Sequence, residues 1–282
     1  MKDYYLGLYE KSMPNCLTWE EKLNVAKECG FDSIEISVDE TDEKLSRLYM
    51  SKEDRNKLVD LMFKCRVKIR SMCLSGHRKY PLGSPNEKTR ERSLEIMEKA
   101  INLADDLGIR IIQLAGYDVY YEKGNEITKK YFIENLKKSV EMAAKKGVIL
   151  AFETMETEFM NTVKKAMEFV DEVNSPYLQV YPDCGNVTNA VLQYNTSLDD
   201  DFECGRGHIA AVHLKETVPG KFREITFGTG HVNFEDVIKK SWNLGVRRFT
   251  AEFWYTGNEN WKDVIKETKK FMDEKFKRAL SK

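Results

Sequence analysis

Eight short apolar runs punctuate this chain, at 4–9, 33–38, 68–74, 111–116, 148–153, 178–183, 209–214 and 248–253. Each reads as a buried strand. Helical spacing fills the intervals. Leu94, Met97, Ile101 and Ala104 share a face within 88–107, and Phe132, Leu136, Val140 and Ala143 do so within 128–145. Val163, Met167 and Val170 repeat the pattern in 161–173, as do Trp261, Val264, Ile265, Thr268 and Phe271 in about 259–280. Gly30, Gly108, Gly147 and Gly245 each precede a strand by a few residues, where a left-handed helix cap is expected. Eight strand–helix units predict the α/β class and a single (β/α)8 TIM barrel over residues 1–282. An open doubly wound sheet is the competing architecture, but no glycine-rich dinucleotide turn follows the first strand. The longer irregular stretches, 75–87 and 216–232, follow strands three and seven. Loops there lie on the catalytic face of a barrel.

The last four runs carry metal-ligating side chains at one end: Val148-Ile-Leu-Ala-Phe-Glu153, Leu178-Gln-Val-Tyr-Pro-Asp183, Ala210-Ala-Val-His213 and Phe249-Thr-Ala-Glu252. Glu153, Asp183, His213 and Glu252 therefore predict one divalent metal ion at the mouth of the barrel. Taken singly, each has an ordinary structural role, such as an ion pair, a turn or a core histidine. Their shared phase on successive strands favours the metal. Three carboxylates and one imidazole suit Mn²⁺, Zn²⁺ or Co²⁺ better than Mg²⁺, and disfavour metals that prefer thiolates.

Composition removes other classes. A net charge of −1, from 45 basic and 46 acidic residues, supplies no bulk attraction for nucleic acid. No apolar run is long enough to span a membrane, and Met1-Lys-Asp leads straight into a strand-like segment rather than a signal peptide. Six cysteines without a CxxC pair read as reduced thiols, so a cytoplasmic protein is expected.

Two glutamates around one metal suit a particular reaction. A metal on a carbonyl oxygen makes the proton on the adjacent carbon removable and stabilises the enediolate. One carboxylate takes the proton from one face and a second returns it from the other. Glu153 and Glu252, three strands apart around a barrel, are the expected catalytic pair.

At these residues the chain resembles the L-ribulose-5-phosphate/L-xylulose-5-phosphate 3-epimerase family, from the xylose-isomerase-like barrels, whose members serve bacterial L-ascorbate degradation and related pentose use. The resemblance runs through Leu6-Gly-Leu-Tyr-Glu-Lys-Ser12, Ser75-Gly-His-Arg-Lys-Tyr-Pro-Leu-Gly83, Glu153-Thr-Met-Glu156 with Phe159-Met-Asn161, Pro182-Asp-Cys-Gly-Asn186, Gly207-His-Ile-Ala-Ala-Val-His-Leu-Lys-Glu-Thr217 and Phe227-Gly-Thr-Gly-His-Val-Asn-Phe234. It implies inversion at C3 of a small-molecule sugar phosphate, a ketopentose 5-phosphate, and a homodimer. It also implies that Glu153, Asp183, His213 and Glu252 hold the metal. Related free-ketose 3-epimerases are longer after the metal histidine, where Lys215-Glu-Thr-Val-Pro-Gly220 is short.

His77, Glu156, Asn161 and Asn186 are the candidate substrate-binding residues. Each has a plainer alternative. His77 orders its loop, Asn161 caps the helix after strand five with Thr162 as its first residue, and Asn186 closes a turn. Glu156 orients a metal ligand. Lys215, Lys221 and Arg223 are candidates to offset a phosphate. Competing functions are an aldose–ketose isomerase, a free-ketose epimerase, an endonuclease-IV-like barrel and a non-catalytic sugar-phosphate-binding protein. Four histidines and near-zero net charge disfavour the endonuclease.

Overall fold

A computed structural model describes residues 3–281. Its eight strands are β1 (Tyr5–Tyr9), β2 (Ser33–Val38), β3 (Lys68–Leu74), β4 (Ile111–Ala115), β5 (Ile149–Glu153), β6 (Leu178–Val180), β7 (Val212–Leu214) and β8 (Arg248–Ala251). All pair in parallel, in the order β6-β5-β4-β3-β2-β1-β8-β7. The ends of this sheet meet through isolated parallel bridges, Val180 with Ile209 and Asp183 with His213. Val180 N–H donates to His208 O, Ala210 N–H to Val180 O and His213 N–H to Pro182 O, each at 2.9 Å. The expected (β/α)8 barrel is therefore the observed one.

The closing seam is short for a chemical reason. The sixth strand was expected over 178–183 but ends at Val180, because Pro182 has no N–H to give the ladder. Two of the four expected ligands, Asp183 and His213, face each other across this seam.

The described helices are α1 (Trp19–Glu28), α2 (Asp42–Ser46), α3 (Lys52–Cys65), α4 (Glu87–Leu107), α5 (Glu126–Lys146), α6 (Val163–Val173), α7 (Cys184–Tyr194), α8 (Leu198–Cys204), α9 (Phe234–Asn243) and α10 (Trp261–Leu280). Gly108 and Gly147 cap α4 and α5 with φ of 72° and 63°. The Asp183-to-Asn186 segment is not a free turn but the start of α7, with Asp183 as its N-cap. Gly185 is required there, since a Cβ would come within 2.6 Å of Thr217 Cγ2 and 2.8 Å of Lys215 O. None of these helices is long and apolar enough to cross a membrane. All six cysteines are free.

One ion network secures the first βα loop. The Glu10 carboxylate, fully buried, takes Lys22 Nζ at 2.7 Å, Lys44 Nζ at 3.2 Å and both terminal nitrogens of Arg47. Burial alone would raise its pKa, but the Arg47 contact and the three cations hold it well below the usual carboxylate range. The stability it contributes is present in full above that range and is lost as pH falls below it, toward the lower folded value. Glu10→Gln leaves three cations without their anion and is expected to cost about 3–5 kcal/mol. Urea unfolding at neutral pH measures this, and a loss under about 1 kcal/mol would refute the network's importance.

Candidate metal centre

Glu153 is the last residue of β5, Asp183 lies between β6 and α7, His213 is the middle of β7, and Glu252 follows β8. One ligand atom from each lies within 4.8 Å of the other three, and all four residues are buried. His213 Nδ1 is 3.3 Å from Glu252 Oε2, 3.7 Å from Glu153 Oε1 and 4.0 Å from Asp183 Oδ2. The opposite ring nitrogen, Nε2, lies 2.5 Å from Glu35 Oε1. Lys215 Nζ reaches Asp183 Oδ2 at 3.1 Å and Glu252 Oε2 at 3.7 Å, and donates to Asn186 Oδ1 at 2.8 Å.

Three crowded carboxylates are electrostatically costly. Burial and the Glu252 charge raise the Glu153 pKa. Burial likewise pushes Asp183 up to about 8 against the pull of Lys215. Glu252 goes the other way: burial opposes its charge, but His213 and Lys215 hold it well below the usual range. Asp183 Oδ2 and Glu252 Oε2 are buried and face the Lys215 charge, but neither accepts a hydrogen bond. Buried carboxylate oxygens with that capacity to spare, converging with an imidazole nitrogen, fit a divalent cation of the Mn²⁺, Co²⁺ or Zn²⁺ kind. Cys184 stays outside the set, its Sγ donating to Lys215 O at 3.6 Å.

Above the cluster is a cavity of about 120 Å³. Tyr9, Cys73, Met155 and Trp254 form its less polar wall, and Lys11, Arg78 and Arg223 bring positive charge to it. Lys11 pairs with Asp39 at 2.5 Å and Arg223 with Glu156 at 2.9 Å. Arg78 lies over the Tyr120 ring at 4.7 Å, and its Nε has no hydrogen-bond partner. Burial pushes the Cys73 thiol far up, so it is no ready nucleophile.

The family model described as xylose isomerase-like TIM barrel matches residues 23–275. L-ribulose-5-phosphate 3-epimerase UlaE of Shigella boydii serotype 18 is 46% identical over 256 residues, 90% of this chain and 88% of that protein. The Escherichia coli O139:H28 protein of the same name matches with equal identity and coverage. This chain belongs to the L-ribulose-5-phosphate 3-epimerase family. As a member of that family it is an isomerase-class enzyme. Among solved structures, a D-tagatose 3-epimerase-like protein superposes with TM-score 0.79 at 19% identity over 97% of both chains. D-allulose 3-epimerase from Methylomonas sp., in complex with D-allulose, gives 0.78 at 17% over 98% of both. At such identities the likeness shows the common barrel alone.

The four candidate substrate residues of this 3-epimerase family member separate into two pairs. Glu156 and Asn186 line the cavity. Glu156 Oε1 accepts from Tyr120 at 3.1 Å and from Arg223. Asn186 donates its side-chain amide to Thr154 O at 2.7 Å and its backbone N–H to Asp183 Oδ1 at 2.7 Å. His77 and Asn161 are not among the lining residues. His77 is buried with Nε2 on Ser93 O at 3.1 Å, and burial pushes its imidazole down to about 4. Its loop reaches the cavity through Ser75 and Arg78 instead. Asn161 bonds to Tyr194 and Lys165 at 3.1 and 3.0 Å. It is not the cap of α6 either: Thr162 is, one residue later than expected. The Asp201 carboxylate accepts from the Val163 and Lys164 N–H groups at 2.8 and 3.0 Å, which takes that helix start from any anion.

Of the expected phosphate partners, Arg223 alone lines the cavity with a charge free of the carboxylate cluster. Lys215 is committed to Asp183, and Lys221 is not among the lining residues. Sequence reasoning missed Lys11, Arg78 and Glu35. Glu35 had one visible signal, a lone charge inside the buried run Ser33-Ile-Glu-Ile-Ser-Val38.

Proposed function

We propose that this enzyme inverts C3 of a ketopentose 5-phosphate, interconverting L-ribulose 5-phosphate and L-xylulose 5-phosphate. The observation that carries the reading is the convergence of Glu153 and Glu252, from strands three steps apart, on one buried ligand cluster. Glu153, Asp183, His213 and Glu252 would hold one divalent cation, Mn²⁺, Co²⁺ or Zn²⁺. Such a cation supplies the positive charge that acidifies a hydrogen beside a carbonyl group.

The protein's own groups do the rest. The carboxylate of one glutamate takes the C3 proton from one face of the sugar. The carboxyl of the other returns a proton to the opposite face, and the reverse reaction exchanges their roles. Lys215 holds Asp183 and stands beside Glu252. Asn186 accepts from Lys215 and donates to the Thr154 carbonyl just past β5, so the cluster is braced from the cavity side. Tyr9, Met155 and Trp254 exclude bulk water. Arg78, Arg223 and Lys11 give the mouth the charge a phosphate needs. Agreement with the L-ribulose-5-phosphate 3-epimerases over most of both chains supports the same substrate class.

Turnover of L-ribulose 5-phosphate in deuterated water tests the reading. NMR is expected to show xylulose 5-phosphate with deuterium at C3, and slower turnover of unphosphorylated L-ribulose. Movement of the carbonyl to C1 would establish an aldose–ketose isomerase instead. Turnover without C3 exchange would rule out proton transfer altogether.

A further inference from the structure

We infer that Glu35 is the positioning residue that commits His213 to hold the cation through Nδ1. The inference rests on the proposal that His213 shares a cation with the three carboxylates. An imidazole binds metal only through the nitrogen that lacks a proton, and its other nitrogen decides which one that is. Here Nε2 lies 2.5 Å from a Glu35 oxygen. The other oxygen of that carboxylate already accepts from two hydroxyls, so Glu35 stands as an acceptor and Nε2 carries the proton. Nδ1 is left unprotonated, within 4.0 Å of an oxygen of each of Glu153, Asp183 and Glu252. The Gln113 side-chain nitrogen, 3.2 Å from Nδ1, also treats that atom as an acceptor. The opposite tautomer would set two lone pairs against each other between Nε2 and Glu35, in a place with no exposure to water.

Glu35 cannot turn away. Its second oxygen, Oε2, accepts from Ser71 Oγ at 2.6 Å and from the Tyr181 hydroxyl at 3.0 Å. Tyr181 is held in turn by Thr250 Oγ1 at 2.8 Å, and its ring packs edge-on against His213 at 4.7 Å between centroids. These residues come from β2, β3, β8 and the segment after β6. Together with Gln113 of β4 they make a polar layer across a barrel interior that usually carries branched apolar side chains. Below it, Ile111, Ala151 and Ala211 form a small apolar floor. A polar layer in that position has a use if it supports the residue above it. Glu35 itself is fully buried and does not line the cavity, so it touches no substrate. It orients the ligand and places negative charge behind the ring, which strengthens Nδ1 as a donor.

Two measurements test this. In the Zn²⁺-loaded wild-type enzyme with ¹⁵N-labelled imidazoles, two-bond ¹H–¹⁵N spectra are expected to show His213 protonated at Nε2 and metal-shifted at Nδ1. Glu35→Gln keeps the side-chain size and is expected to weaken Zn²⁺ binding about 10–100-fold in chelator competition. It should also change the visible spectrum of bound Co²⁺, which a merely structural role would leave alone. A proton on Nδ1 would overturn the inference even if the variant fails to fold. So would a variant with wild-type Zn²⁺ affinity and an unaltered Co²⁺ spectrum, while the shared-cation proposal survived. A wild-type enzyme that binds neither ion would overturn both.

Discussion

Glu153→Gln and Glu252→Gln are each expected to lower kcat for epimerisation by about 10²–10⁴-fold, the usual contribution of a positioned acid or base. Glutamine keeps the shape and one ligating oxygen but can neither take nor give the proton. The two losses should differ in kind. With one glutamate disabled, the other still faces one side of the sugar. Each variant should then exchange the C3 hydrogen of one epimer with deuterated solvent without inverting it, and the two variants should choose opposite epimers. Metal content measured alongside separates lost proton transfer from lost cation. Near-normal turnover in both variants would sink the two-glutamate mechanism. The folded state should respond unequally as well. Replacing Glu153 relieves repulsion with Glu252, whereas replacing Glu252 removes an anion 3.3 Å from His213 Nδ1 and 3.7 Å from Lys215 Nζ.

Removal of the cation should have the other large effect. Exhaustive chelation is expected to abolish turnover, and Mn²⁺, Co²⁺ or Zn²⁺ to restore it. The folded state should weaken at the same time, because the carboxylates of Glu153, Asp183 and Glu252 then repel across a buried space. A ligand at 100 times its Kd stabilises by about 2.7 kcal/mol. For a domain of this order of size that corresponds to a rise in Tm of roughly 5–10 °C on adding the metal. The apparent affinity should fall with acid, since protons compete for the same lone pairs. Full activity after chelation, with no shift in melting, would remove the metal from the account.

The repeating architecture was legible because it is local. A strand buried on both faces is apolar along most of its length, and the helix that follows must carry a stripe; both constraints act within a few residues. The α4 and α5 boundaries came within about two residues of expectation because Gly108 and Gly147 adopt backbone angles that glycine alone takes without strain. The clustering of Glu153, Asp183, His213 and Glu252 was legible for a related reason. Parallel strands all point the same way, so a side chain at the end of each must arrive on one rim. Failures began where an outcome depended on what packs across the fold. The turn that Asp183-Cys-Gly-Asn186 offers as the plain alternative to a metal ligand is instead a helix start, where Gly185 fits under Thr217.

Chain chemistry alone therefore established that strands and helices alternate, that a barrel closes, and that Glu153, Asp183, His213 and Glu252 share its rim. Periodicity and chain direction suffice for that. Closure decided the rest. His77 and Asn161 turned to helices outside the cavity, Arg78 and Lys11 entered it, and Glu35 met His213 across 178 positions of sequence. No local pattern encodes such a meeting. It follows from the curvature of the whole sheet, which brings the interior faces of β2 and β7 within hydrogen-bonding distance of each other.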